Sequence, residues 1–125
     1  MEKPVNRIKK SQKESVLLHE IAQLFLEKSM EDPELRNLYI NRISLSDKGG
    51  MCTVYFYSSL GEEEFDRVFE QLKLYKPSLR KAIAVRVPNR YTPDLFFKFD
   101  EQLKKQLEIE HLIERVKADD SKYSQ

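Results

Sequence analysis

Residues 61–87 read GEEEFDRVFEQLKLYKPSLRKAIAVRV, and the fold turns on how this stretch is read. Phe65, Val68, Phe69 and Leu72 recur at the spacing of one helical face. Glu62, Glu63 and Glu64 follow Gly61 and complement the positive end of the helix dipole. The apolar period runs to about Tyr75 and meets Pro77. A proline ring and its missing N–H break a helix interior but suit a first turn. Leu79, Ala82, Ile83 and Val87 then carry another helix as far as Pro88. The stretch therefore predicts two helices joined at Tyr75-Lys76-Pro77. Lys76 precedes a proline and is expected outside the helical region. The N–H groups of Ser78 and Leu79 are expected free at the junction, as a modest anion site.

Upstream, Met51 to Ser58 alternates, with Cys52, Val54 and Phe56 expected to point inward. Asp47-Lys48-Gly49-Gly50 reads as the turn of a hairpin whose first strand is Leu38 to Leu45. Ser11 to Lys28 reads as a helix, with Leu17, Leu18, Ile21, Leu24 and Phe25 on one face, stopped by Asp32-Pro33. Downstream, Pro93 opens a strand in which Leu95, Phe97 and Phe99 alternate with Phe96 and Lys98. A last helix spans about Glu101 to Val116, with Ile109, Leu112, Ile113 and Val116 as its apolar stripe. A right-handed crossover makes the last strand parallel to Met51–Ser58. The reading is a single α+β domain over residues 1–116, with a polar tail at 117–125 expected to fray. Its order is α-β-β-α-break-α-β-α, a three-stranded mixed sheet packed by helices on one face. Leu45, Val54, Phe65, Phe69, Ile83 and Phe97 are expected in one core.

The chain has 125 residues, 22 Lys+Arg against 21 Asp+Glu, and a net charge of +1. That length suits one domain with a core large enough to stand without staples. A single cysteine, Cys52, rules out an internal disulfide, and its place on an inward face makes it a small hydrophobe rather than a nucleophile. No apolar run reaches the roughly 20 residues of a membrane span, and Met1-Glu2-Lys3-Pro4 has no apolar core behind it, so a cytoplasmic setting is expected. His19 and His111 are isolated and have no partner at ligand spacing. Adjacent carboxylates on a helix fan out by about 100° each, so Glu62-Glu63-Glu64 do not converge on one ion. No phosphate-binding glycine loop is present. No catalytic residue, metal or cofactor is expected, and the chain does not read as an enzyme. The charge is uneven: residues 1–13 and 72–97 are basic, while 62–70 is acidic. Such stretches either hold a polyanion on one face or are plain solvated surface.

Several segments together resemble the ribosome-binding factor A family, whose fold is a type-II KH domain. They are Asp32-Pro33-Glu34-Leu35, where the family commonly has Asp-Pro-Arg-Leu; Leu45-Ser46-Asp47 leading into Thr53-Val54-Tyr55; Leu79-Arg80 after the break; and Arg90-Tyr91-Thr92-Pro93-Asp94-Leu95-Phe96-Phe97-Lys98-Phe99-Asp100, close to Arg-x-x-Pro-Glu-Leu-x-Phe-x-x-Asp. The match covers roughly Asn6 to Val116 in one register. It implies a non-catalytic assembly factor that binds the small ribosomal subunit and its rRNA late in maturation. It further implies support for 5′-end processing of the 16S rRNA precursor, a role in the cold, and no cofactor. The chain departs from the family at the break, where Tyr75-Lys76-Pro77 stands in place of an Ala-x-Gly kink. Glu34 also replaces an arginine.

The expected RNA contacts are Arg7, Lys9 and Lys10 at the N-terminus; Lys76, Ser78, Arg80 and Lys81 at the break and the helix after it; and Arg86, Asn89 and Arg90 beyond. Lys and Arg would hold phosphates; Ser78 and Asn89 would bond sugar or phosphate oxygens. Two of these have structural rivals. Arg90 can instead pair with Asp94 and pin the loop, and the Arg86 stem can pack while its head snorkels. The competing function is a protein-interaction module of the same fold with tyrosines as anchors, since Tyr55 and Tyr57 suit either a base or a protein surface. A monomer with no membrane or small-molecule partner is expected.

Overall fold

Alternation in the second strand sets the two faces of the sheet. The computed structural model describes residues 3–87 and 92–123, and the side chains of residues 10–87 and 92–118. Helix α1 (Lys3–Glu31) leads through a short 3-10 turn (Pro33–Leu35) into strands β1 (Tyr39–Leu45) and β2 (Met51–Tyr57). Helices α2 (Glu62–Lys73) and α3 (Lys76–Arg86), strand β3 (Asp94–Phe99) and helix α4 (Glu101–Tyr123) follow. The sheet order is β1-β2-β3, with β1 antiparallel and β3 parallel to the central β2. This is the expected mixed sheet, and the parallel pairing follows from a crossover made by two helices.

Cys52, Val54 and Phe56 are fully buried, as the alternation requires. Phe56 is the centre of the core: its ring lies 5.1 Å from that of Phe25 on α1, 5.9 Å from Phe65 on α2 and 5.2 Å from Phe97 on β3. One aromatic side chain thus touches both helical supports and the neighbouring strand. Leu45, Val54, Phe65, Ile83 and Phe97 are all in this core, but Phe69 is only partly buried and packs at its margin. Burial pushes the Cys52 thiol up to about 12, with the Glu14 charge adding to it, so this cysteine is inert packing. Gly49 in the hairpin and Gly61 before α2 adopt φ of 74° and 94°. Both turns need the backbone freedom of a residue without Cβ.

Three element boundaries differ from the sequence reading. Helix α1 begins at Lys3, well before Ser11: Pro4 falls in its first turn, where the missing N–H costs nothing, and no residue from Val5 to Lys10 breaks a helix. Helix α4 continues past Val116 to Tyr123. Its stripe of Ile109, Leu112, Ile113 and Val116 stays about half exposed and does not join the core. Lys76 is the first residue of α3 rather than an extended linker. Leu74 and Tyr75 also keep right-handed helical angles and donate to the Gln71 and Leu72 carbonyls, so the break is a tightened turn. Pro77 sits in the first turn, where its missing N–H costs nothing, and this outweighs the steric bias on the residue before it.

Candidate nucleic-acid interface

The turn between α2 and α3 is braced from the loop before β1. Asp32 accepts a hydrogen bond from the Tyr75 hydroxyl at 2.8 Å and another from the Gln71 amide, while its other oxygen caps the 3-10 turn through the Glu34 N–H at 3.1 Å. This bond to the Asp32 carboxylate, then burial, raises the Tyr75 phenol above its ordinary value. Tyr75 therefore fixes the turn through its side chain. The Leu79 N–H donates to the Tyr75 carbonyl at 2.9 Å, so the expected free donor at Leu79 is absent and the anion site at the junction is reduced.

Helix α3 presents three faces. Lys76 and Arg80 turn toward β3. The Lys76 ammonium lies 5.5 Å and 5.2 Å from the ring centres of Phe96 and Phe97. Arg80 bonds the Pro93 and Thr92 carbonyls at 3.2 and 3.1 Å and pairs with Asp94 at 3.3 Å. Among the described residues the partner of Asp94 is Arg80; Arg90 lies outside them. Arg86 turns toward α1, 3.5 Å from Glu20 and 3.9 Å from Glu27. The outer face carries Ser78 and Lys81, both exposed, beside Val85. Ser78, Lys81, Ala82, Val85 and Arg86 line one shallow hollow of about 360 Å³.

The structure therefore brings Ser78, Lys81 and Arg86 together and sets Lys76 and Arg80 to one side. Lys10 stands apart on α1, 3.3 Å from Asp47 in the hairpin turn. Arg7 and Lys9 lie in α1, but their side chains fall outside the described residues, as do Asn89 and Arg90 altogether. Arg80 and Arg86 spend their charge on the protein. Lys81 is the exposed cation of the expected set with no ion pair among the described residues.

Two clusters escaped the sequence reading. Arg67 spans Glu34 and Glu64, and Glu64 also accepts from Asn37 at 3.3 Å. The glutamate found where the family has arginine is thus one arm of an ion-pair group joining α2 to the loop before β1. The second cluster surrounds Asp100. This fully buried carboxylate accepts from Arg42 Nε at 3.0 Å, from the other arm of that guanidinium at 3.2 Å, from Asn41 at 2.9 Å and from the Leu103 N–H at 3.1 Å. Burial raises the Asp100 pKa, but the bonds from Arg42, Asn41 and Leu103 outweigh it and hold the carboxyl below its ordinary value. The Arg42 guanidinium lies 3.7 Å from the centre of the Tyr55 ring. Tyr55 is therefore occupied within the molecule, not an open stacking platform.

No group of three or more His, Cys, Asp or Glu among the described residues has the geometry to hold a metal ion. No helix among them is long and apolar enough to cross a membrane. The model of the family "Ribosome-binding factor A" matches residues 9–113. The ribosome-binding factor A of Geotalea daltonii is 28% identical over 109 residues, spanning 86% of this chain and 88% of that one. The crystal structure of the Thermus thermophilus factor superposes with a TM-score of 0.61 at 29% identity, covering 72% of this chain and 93% of the other. A homology model of a Thermus thermophilus factor, fitted into a cryo-electron microscopy map of a complex with 30S, matches with a TM-score of 0.56 at 29% identity. It covers 68% of this chain and 88% of that one.

Proposed function

The chain belongs to the ribosome-binding factor A family, and from that membership we propose that it binds the small ribosomal subunit and its rRNA during late maturation. In this reading it is a cytoplasmic, non-catalytic factor, a monomer when free, and it supports 5′-end processing of the 16S rRNA precursor. The observation that carries the reading is the family match over residues 9–113. The likeness to the Thermus thermophilus factor fitted as a 30S complex supports the choice of subunit. The contact surface is the outer face of α3 around Ser78 and Lys81, together with the N-terminal cations Arg7, Lys9 and Lys10 and the loop residues Asn89 and Arg90.

The mechanism is selective binding. A protein with higher affinity for one rRNA conformation raises its population by that difference in affinity and breaks no bond. Phosphate contacts of Lys and Arg set the register on RNA and make the affinity fall with salt. Depleting the protein in its host and mapping 16S rRNA 5′ ends by primer extension tests the processing role. Precursors with extended 5′ ends should accumulate, and an unchanged end distribution contradicts that role.

A further inference from the structure

Helix α4 meets the body by one side and keeps the opposite side bare. Leu103 and Lys104 near its start are half-buried, and every residue from Lys105 to Ala118 is exposed. Leu107, one turn after Leu103, lines a hollow with Tyr57 and Phe99. At about 100° per residue, Ile109, Leu112, Ile113 and Val116 fall on the other side of the helix from Leu103 and Leu107. Their spacing is i, i+3, i+4, i+7, and each is about half exposed. Such a run is a seam for another helix.

The charges beside the seam are ordered. Glu108 and Arg115 flank it on one side, Glu110 and Lys117 on the other. None of the four has an ion-pair partner among the described residues. Their signs cancel, so the stripe has no field that would draw a phosphate chain.

The pattern is self-complementary in one orientation. Two copies of α4 laid antiparallel, about a two-fold axis between Leu112 and Ile113, bring each flank against the same flank of the copy. Ile109 then meets Val116 of the copy, and Leu112 meets Ile113. Glu108 comes beside Arg115 of the copy on one flank, and Glu110 beside Lys117 on the other, each pair made twice. A parallel pair sets opposite flanks together at one height. Glu108 then faces Glu110 and Arg115 faces Lys117, like charge against like, and flanking charges of this kind set helix orientation. In the antiparallel pair the two bodies sit at opposite ends, roughly 30 Å apart along the axis, and do not collide.

We propose that the stripe from Ile109 to Val116 docks a second copy of this chain as an antiparallel helix pair. Four half-exposed side chains on each copy cover much less than the roughly 800 Å² that each partner gives to a standard interface. The pair is therefore weak. Dilute free protein stays a monomer, and pairs form where the protein is concentrated. The stripe lies on a different element from the outer face of α3, and the proposal does not depend on the ribosomal role.

Sedimentation velocity of the full-length protein from about 10 µM to about 1 mM tests this. A reversible shift from monomer toward dimer is expected, with nothing larger, because a two-fold pair closes. Glu108→Lys sets like charges together twice and should raise the dissociation constant about tenfold. Adding Arg115→Glu restores opposite charges in the antiparallel pair and should return the constant to within about threefold of the original. Both positions are exposed, so neither substitution touches the core. Four results overturn the proposal: monomer alone at the highest concentration, no effect of Glu108→Lys, a double variant no better than the single one, or flotation of the monomer with phosphatidylcholine vesicles, which would assign the stripe to a lipid surface.

Discussion

Lys81 and Arg80 are neighbours in sequence, and the structure separates their roles. Arg80 braces the entry to β3 through Thr92, Pro93 and Asp94, whereas Lys81 stands in solvent. Lys81→Glu should leave the melting temperature unchanged and lower the salt slope of RNA binding by about one unit. Arg80→Glu should cost about 1 kcal/mol of stability in a urea titration, because it removes two hydrogen bonds and opposes Asp94. The sequence made both cations legible as basic. It left their partners illegible, because those partners are carbonyls and carboxylates brought in from other elements. Arg42 is a sharper case. It pairs with Asp100 across 58 positions, and no local pattern announces that. Arg42→Met should cost about 2 kcal/mol at pH 7, below the roughly 3–5 of fully buried pairs because the guanidinium keeps some solvent contact. Asp100 is held below its ordinary 3.8 in the fold, so the pair's contribution is whole above that value and declines as pH falls below it. In the variant, burial acts on Asp100 without its strongest favourable partner, and protonation relieves the penalty. The stability gap between the two proteins should therefore narrow on acidification. A gap independent of pH would mean that the pair is not its cause.

Elements were legible where period and punctuation agreed. The strict alternation of Met51–Tyr57 fixed which side chains face in, and the two-helix crossover fixed the parallel pairing of β3. Tertiary contacts decided the rest. Phe69 shares the helical stripe of Phe65, yet it lies at the lip of a hollow between α2 and β3 and is only half covered. Phe56→Ala should therefore cost about 3–5 kcal/mol, as for a fully buried ring, and Phe69→Ala about 1–2. Equal losses in denaturant titrations would contradict this placement of α2. The helical conformation of Lys76 is not legible in local proline sterics, because the turn before α3 is held by the clamp from Asp32 to Tyr75. That clamp joins residues 43 apart and closes only once the fold has formed. The candidate surface was legible as a basic stretch, but its division into three faces of α3 needed the positions of α1 and β3.

At the scale of the whole molecule, charge is distributed rather than net. The exposed cation Lys81 lies on the outer face of α3, and the bare stripe of α4 is flanked by charges of both signs. A near-neutral chain thus offers surfaces suited to different partners. Membership of the family rests on the match over residues 9–113, and the fold agrees with it. The claim that depends most on that membership is the choice of the small subunit. Cosedimentation of the purified protein with separated small and large subunits, at physiological salt and again at raised salt, measures it directly. The account predicts pelleting with the small subunit, little with the large one, and a steep loss as salt rises. Equal pelleting with both subunits, or binding insensitive to salt, would contradict it.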